Sequence, residues 1–278
     1  SGLYPLYMAY SLYAMKLPGP EDKLPLEQTQ ALWQETVEQQ IFVLCKTRMA
    51  ESITRRTLVG YQDWTVNTTY IPHLLERMEN DPQRLAKKLQ RTDTWGKEGQ
   101  PMKFDAIVGN PPYQEMDGGN NASAVPLYQL FMEQAVLVEP HYISMIMPAR
   151  WYSGGRGLDK FRSEMLNDER LCKMMDFSDS HDCFPGVDIA GGVCYFLWDK
   201  SAHGESKVIS VHNGKQSISE RKLNEYDTFI RFKEAISIIK KIQLRESKFY
   251  SERVSSQKPF GLRTYVKPTE SGDIKLRY

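Results

Sequence analysis

The chain has 278 residues, 41% of them hydrophobic and 26% charged, with 36 Lys and Arg against 35 Asp and Glu. That balance fits an ordinary soluble protein with a substantial core, one large domain or one plus a smaller piece, and excludes a membrane-spanning one, since no apolar run is long enough to cross a bilayer. Cys45, Cys172, Cys183 and Cys194 form no CxxC pair, so neither a zinc knuckle nor a disulfide framework is indicated; with no signal peptide at the start, a reducing cytoplasm is expected.

Leu3, Leu6, Tyr7, Tyr10, Tyr13, Ala14 and Leu17 mark one face of an opening helix, with Pro5 in the first turn where its missing N–H costs nothing. A loop over 17–25 leads to a helix in "LEQTQALWQETVEQQ", a short buried strand in "IFVLC" and a helix in "RMAESITRRTLVGY". "WTVNTTYI" is a candidate strand. The charged helical run from Ile71 breaks near Pro82. Phe104 to Val108 reads as a buried strand, stopped at Gly109 because Pro111 and Pro112 cannot donate to a ladder. Then follow a helix ("PLYQLFMEQAVLV"), a strand ("YISMIMP"), a helix ("RGLDKFRSEMLND") and two strands ("LCKMMDFSD", "GGVCYFLWDK") joined only by a loop and so expected antiparallel. The alternation predicts an α/β fold, a mostly parallel sheet with helices on both faces and an antiparallel last strand.

Charge is unevenly spread. From Arg231 to Tyr278 there are twelve Lys or Arg against five Asp or Glu, which suits a polyanion partner or a solvated face. The chain reads as an internal piece of something larger, or as its ordered remainder, because it opens without a leading strand and stops on what reads as a strand beginning.

Asn110-Pro111-Pro112-Tyr113 at the end of an apolar strand resembles the catalytic signature of S-adenosylmethionine-dependent amino-methyltransferases, in particular the Eco57I-like adenine-N6 DNA methyltransferases of bacterial restriction–modification systems. Three further stretches agree in order. "SGLYPLY" resembles the tail of that family's cofactor loop. "DCFPGVDIAGGVCYFL" is similar to the segment whose phenylalanine, here Phe184, faces the flipped base. "SSQKPFGLRTY" resembles the join into the target-recognition domain. The resemblance implies a Rossmann-like methyltransferase domain over 1–225 whose N-terminal part is missing, then a linker helix and the start of a recognition domain over 226–278. It implies S-adenosyl-L-methionine as cofactor, double-stranded DNA as partner, a bacterial cytoplasmic setting and a monomer. A nuclease, as domain or subunit, would lie outside the chain, since no Pro-Asp…Asp/Glu-x-Lys arrangement is present.

The residue types suit that chemistry. An exocyclic amine is a poor nucleophile while its lone pair is delocalised into the ring. Two acceptors on its two N–H bonds, the Asn110 side-chain carbonyl and the Pro111 backbone carbonyl, would favour a pyramidal nitrogen, and proline holds the second acceptor still. Tyr113 would stack on the base, and the target would have to leave the duplex to reach it. Phe184 is either a second base contact or a core residue at a turn. Ser1 and Gly2, like Asn110, are candidate cofactor contacts at a helix N-terminus; an expression scar reads the same way. Arg150, Arg156 and Lys160, with Lys258 and Arg263 in the later stretch, are candidate DNA contacts. Residues 115–126, rich in Gly and Asn, suit a closing loop or a plain connector. Cys45-Lys46-Thr47 stands where an acid usually holds a cofactor ribose, and Asn67 is a guess for its adenine. Two other functions use the same residues: methylation of a protein glutamine or an RNA amine, and a DNA-binding specificity module with an incomplete catalytic half.

Overall fold

A computed structural model describes residues 2–17, 19, 24–114, 125–154 and 157–244. The first compact unit runs Ser1–Arg231 and the second Phe232–Tyr278. In the first, helix α1 (Leu3–Met15) and α2 (Leu26–Gln40) precede strand β1 (Phe42–Cys45), α3 (Arg48–Val59) and β2 (Asn67–Tyr70). Helices α4 (Leu74–Asn80) and α5 (Pro82–Leu89) follow, broken at Pro82 as the sequence predicts. Strand β3 (Ala106–Gly109), α6 (Tyr128–Leu137), β4 (Tyr142–Pro148), α7 (Asp159–Asn167), β5 (Leu171–Phe177) and β6 (Val193–Asp199) complete the expected set, but β3 is not buried as expected: it pairs only with β4, at the edge of its sheet, and Ala106 and Val108 are exposed. A hairpin of β7 (Ser206–His212) and β8 (Lys215–Arg221) was not expected. Asn213 and Gly214, both at positive φ, make its turn, the dipeptide that two-residue hairpins favour.

The strands form two sheets. β1 and β2 pair in parallel, and six strands lie in the order β3-β4-β6-β5-β7-β8. β3 is parallel to β4 and β5 to β7, whereas β6 runs antiparallel to both β4 and β5, and β8 antiparallel to β7. The sheet is therefore mixed, not mostly parallel. The physical reason is that β6 returns through a loop and inserts between β4 and β5, and that the β7–β8 hairpin extends the far edge. β3, β4, β5 and β7 still share one direction, so their carboxyl ends meet at one edge, where ligands bind in open α/β sheets.

Period-2 alternation assigns the faces. Ile143, Met145 and Met147 of β4 join Trp198, Phe196 and Cys194 of β6, their register partners, in a core closed by Tyr128 and Met132 of α6 and Phe161 and Met165 of α7. On the opposite face Tyr142 and Tyr195 are exposed, while Phe177, Val193 and Val211 are packed against Cys183, Phe184 and Ile189 of the loop between β5 and β6, where helical cover was expected. Phe42 of β1, Trp95 and Phe104 pack edge to face at 5.4–6.0 Å and join the small sheet to the region of β3. Helix α1 sits on α2 and α3 through Ala9, Leu6 and Leu12. The sequence predicted Tyr7 and Tyr10 on its packed face, but they are 71% and 60% exposed. Tyrosine tolerates water through its hydroxyl, and the small Ala9 allows the closer approach.

In the second unit, α8 (Lys233–Gln243) carries Lys240 and Lys241 in its last turn, the end that the helix dipole favours for cations.

Candidate active site

The site is built where β3 stops short. Gly109, its last residue, pairs with Met145, while β4 continues through Ile146 and Met147 to Pro148. On the β3 side Ile146, Met147 and Pro148 therefore have no strand partner, a stretch of about 10 Å at about 3.3 Å per residue, although β6 pairs with them on the other side and all three are buried. Asn110 to Tyr113 follow directly, past the end of β3. Asn110 is exposed, Pro111 buried, and Pro112 and Tyr113 half-buried. The buried proline roots the loop and the asparagine side chain stays accessible. The Leu127 N–H donates to the Tyr113 carbonyl at 3.2 Å, and Gln114 bridges Pro126, so the segment between them is closed by a neck at its base. Most of that segment, the predicted closing loop, lies outside the described residues.

Burial raises the Tyr113 hydroxyl to about 12, with the thiols of Cys183 and Cys194 and the Tyr4 hydroxyl adding to the shift. The hydroxyl therefore stays protonated and uncharged near neutral pH.

The loop carrying Phe184 leaves β5 and returns as β6. Asp179 caps its opening turn by accepting from the His181 N–H at 2.9 Å. The Ser180 hydroxyl donates to Val187 O at 2.8 Å and accepts from Ile189 N at 2.9 Å, and Phe184 N donates to Ser180 O at 2.7 Å. Phe184 is half-buried and packs in a cluster with Phe177, Val193 and Val211. It has a packing role whether or not it also meets a ligand.

Arg150 is exposed in the short 3-10 turn after β4. Lys160 lies on α7, exposed and 3.5 Å from Glu164. Gly2 caps α1 at φ 75°, and a Cβ there would meet Thr57 Oγ1 at 2.6 Å, so close packing of α1 on α3 demands glycine. Ser1, Arg156, Lys258 and Arg263 lie outside the described residues.

On the cofactor side, β1 runs into Lys46 and Thr47, and the Thr47 hydroxyl is engaged as the cap of α3, accepting from Ala50 N at 3.0 Å. Glu51, the next acid, lies 3.6 Å from Arg48. Asn67 does not fit its guessed role. It starts β2, at the amino end of the strand, and is fully buried. Its amide donates to the carbonyls of Glu38 and Ile41 at 2.9 Å, satisfying the exit of α2. Among the described residues, no three of His, Cys, Asp and Glu converge to hold a metal ion, and no helix is long and apolar enough to cross a membrane.

A model of the Eco57I restriction-modification methylase family matches residues 39–184, a little over half of the chain and all of the span from β1 to Phe184. The chain belongs to the Eco57I restriction-modification methylase family. Over 134 residues it is 34% identical to an uncharacterized adenine-specific methylase of Mycoplasma pneumoniae, an alignment covering 46% of this chain and 31% of that protein. It thus spans about a third of that relative's length. Among solved structures it is similar to a type I restriction-modification methyltransferase subunit from Streptococcus thermophilus, at 13% identity and a TM-score of 0.42, covering 86% of this chain and 52% of that one. It is also similar to the type IIG restriction endonuclease BpuSI, at 14% identity and a TM-score of 0.44, covering 81% and 31%. The match that defines this Eco57I-family chain contains the Asn110–Tyr113 loop and ends on Phe184, the two features that the sequence singles out for chemistry.

Proposed function

We propose that this chain carries the amine-binding part of an adenine-N6 DNA methyltransferase of a restriction–modification system. The observation that carries the reading is the Asn110–Tyr113 loop at the stopped end of β3: its asparagine exposed, its first proline buried and its tyrosine half-buried and neutral. Asn110 Oδ1 and the Pro111 carbonyl accept the two amine N–H bonds, and the Tyr113 ring takes the face of a base extruded from the duplex. S-adenosyl-L-methionine supplies a methyl group on a sulfonium. Asn110 and the amide groups that open α1 would hold it, whereas the exit of β1 offers no carboxylate to a ribose. With that group bound, the methyl–nitrogen bond would form as the sulfur–methyl bond breaks, and Asn110 and Pro111 would hold the amine in line until its proton is lost to water. The chain contributes alignment, the largest share of catalysis when both reactants are bound. Arg150 and Lys160, with Arg156 and the basic segment after Arg231, are the proposed phosphate contacts.

The test is transfer of labelled methyl to DNA, RNA and protein side by side. Label in DNA adenine, formed about 10²–10³-fold more slowly by Asn110→Ala, is expected. Label in RNA or in a protein glutamine would replace the substrate, and full turnover by the variant would overturn the amine grip.

A further inference from the structure

Asp176 and Arg231 are 55 residues apart and form the most enclosed ion pair of the described residues. The Asp176 side chain on β5 is 1% exposed and that of Arg231 is 21% exposed. Arg231 Nε donates to Asp176 Oδ2 at 2.9 Å and Nη2 to Oδ1 at 2.6 Å, a two-pronged grip. The same guanidinium reaches further. Nη1 donates to the Gly191 carbonyl at 2.7 Å and Nη2 to the Phe177 carbonyl at 3.1 Å. Its flat face lies 5.2 Å from the centre of the Tyr152 ring.

Those acceptors are not scattered. Phe177 is where the chain leaves β5 for the Phe184 loop, and Gly191 is where that loop comes back to enter β6. One side chain therefore holds both ends of the loop. The next residue, Gly192, lies so tightly that a Cβ would stand 2.0 Å from the Phe177 carbonyl and 3.0 Å from Arg231 Nη2. Its own carbonyl accepts from Ala149 N at 3.0 Å, which fastens the loop exit to the turn bearing Arg150. Replacing a buried ion pair by apolar residues of similar size is commonly neutral or stabilising, so stability alone is a poor reason to bury this one. Geometry is a better one: five fixed donors can define two chain positions at once, which a hydrophobic pair cannot.

We infer that Asp176 and Arg231 are positioning residues, which clasp the two ends of the Phe184 loop and so set where Phe184 stands at the edge that carries Tyr113. The inference rests on the reading of Phe184 as a ring facing the extruded base. Asp176 orients the guanidinium, and the guanidinium fixes Phe177 and Gly191. Arg231 is also the last residue of the first compact unit, so the chain enters its basic second unit directly from the clasp.

Two variants of the full chain test it. Arg231→Lys keeps the charge beside Asp176 and removes the fork; the double variant Asp176→Leu with Arg231→Met removes the buried charges together and guards against simple unfolding. Amide hydrogen exchange of residues 178–192, 2-aminopurine fluorescence at the target base, and kcat and KM for DNA are read in each. Both variants should melt near the wild type, exchange 178–192 at least tenfold faster, and lose kcat and the fluorescence response at least tenfold with KM within twofold. Unchanged exchange in Arg231→Lys, or kcat restored in the double variant, would overturn the clasp. If the wild type transfers no methyl group, the proposed activity falls, while faster exchange confined to 178–192 still establishes the clasp.

Discussion

Gly109 pairs with Met145, not with Pro148: β3 stops three residues before its neighbour does. That offset makes room for the Asn110–Tyr113 loop at the sheet edge, and it rests on two prolines that cannot extend the ladder. Since Asn110 is exposed and no part of the core depends on it, Asn110→Ala should leave the melting temperature within a degree or two. Losing one of two aligned acceptors at the reacting nitrogen should lower kcat by about 10²–10³-fold, the size seen when a single aligned polar group is removed. Steady-state kinetics with calorimetry separates the two effects. A parallel loss of stability would mean that the residue is structural.

Tyr113 should act through its ring. Its hydroxyl, pushed up to about 12 by burial, stays protonated across the working range, so no step near neutral pH draws on its ionisation. Tyr113→Phe should therefore keep the 2-aminopurine response and a flat rate profile from pH 7 to 9. Tyr113→Ala should lose about 1–3 kcal/mol of base stacking, roughly a 5–150-fold weaker capture. A Phe variant as damaged as the Ala variant would transfer the role to the hydroxyl.

These two residues were legible because their signal is local: an apolar strand, then prolines, then an aromatic. Other parts were not. The face of α1 was misread because tyrosine counts as apolar in a periodic pattern, yet Tyr7 and Tyr10 point to water and Ala9 is packed. β8 was missed because Lys215, Gln216, Ser217, Ser219, Glu220 and Arg221 offer little hydrophobic alternation, although Asn213-Gly214 before it was a hairpin signal in plain view. The insertion of β6 between β4 and β5 depends on long-range pairing that no window of sequence contains. Nor does any local pattern join Asp176 to Arg231.

Two glycines of the Phe184 loop should behave differently. Gly186 and Gly192 both have φ near 80°, so alanine at either meets left-handed strain of about 1–2 kcal/mol. A Cβ at Gly186 has nothing within 4 Å, whereas at Gly192 it would stand 2.0 Å from the Phe177 carbonyl and 2.9 Å from that of Ser178. Gly186→Ala should thus be mild, and Gly192→Ala should cost several times more and displace the loop. Urea denaturation of the pair, with equal midpoints, would refute the close approach.

Asp168 sets part of the acid limit. Burial would raise its carboxyl, but the Arg170 side chain, the Trp198 indole N–H and the Arg170 backbone N–H all bond to the charged form and hold it below the usual range. A group depressed in the folded state stabilises fully above its unfolded value near 3.9, and that contribution is lost as pH falls through the folded value. Asp168→Asn should cost about 1–3 kcal/mol at pH 7, as expected for hydrogen bonds to a charged group, with the gap closing below pH 4. A gap of constant size from pH 7 to pH 3 would show that packing, not charge, is involved.

The boundary after Arg231 predicts the outcome of truncation. Leu223 and Phe229 are buried, Phe229 lies 4.6 Å from Tyr152 by ring centroid, and Arg231 is held on Asp176. Cutting after Leu223 should therefore unfold or strongly destabilise the first unit. Cutting after Phe232 should spare it and remove almost all of the segment in which twelve Lys or Arg face five Asp or Glu. If that segment meets DNA phosphates, the shorter chain should bind DNA more weakly, and the slope of log affinity against log salt should flatten by about 0.9 for each lost contact. Fluorescence anisotropy between 50 and 200 mM salt, values chosen to span the usual range of such titrations, reads both quantities. An unchanged slope with unchanged affinity would place the surplus charge on a solvated face, and the phosphate contacts would then have to come from the edge that carries Arg150.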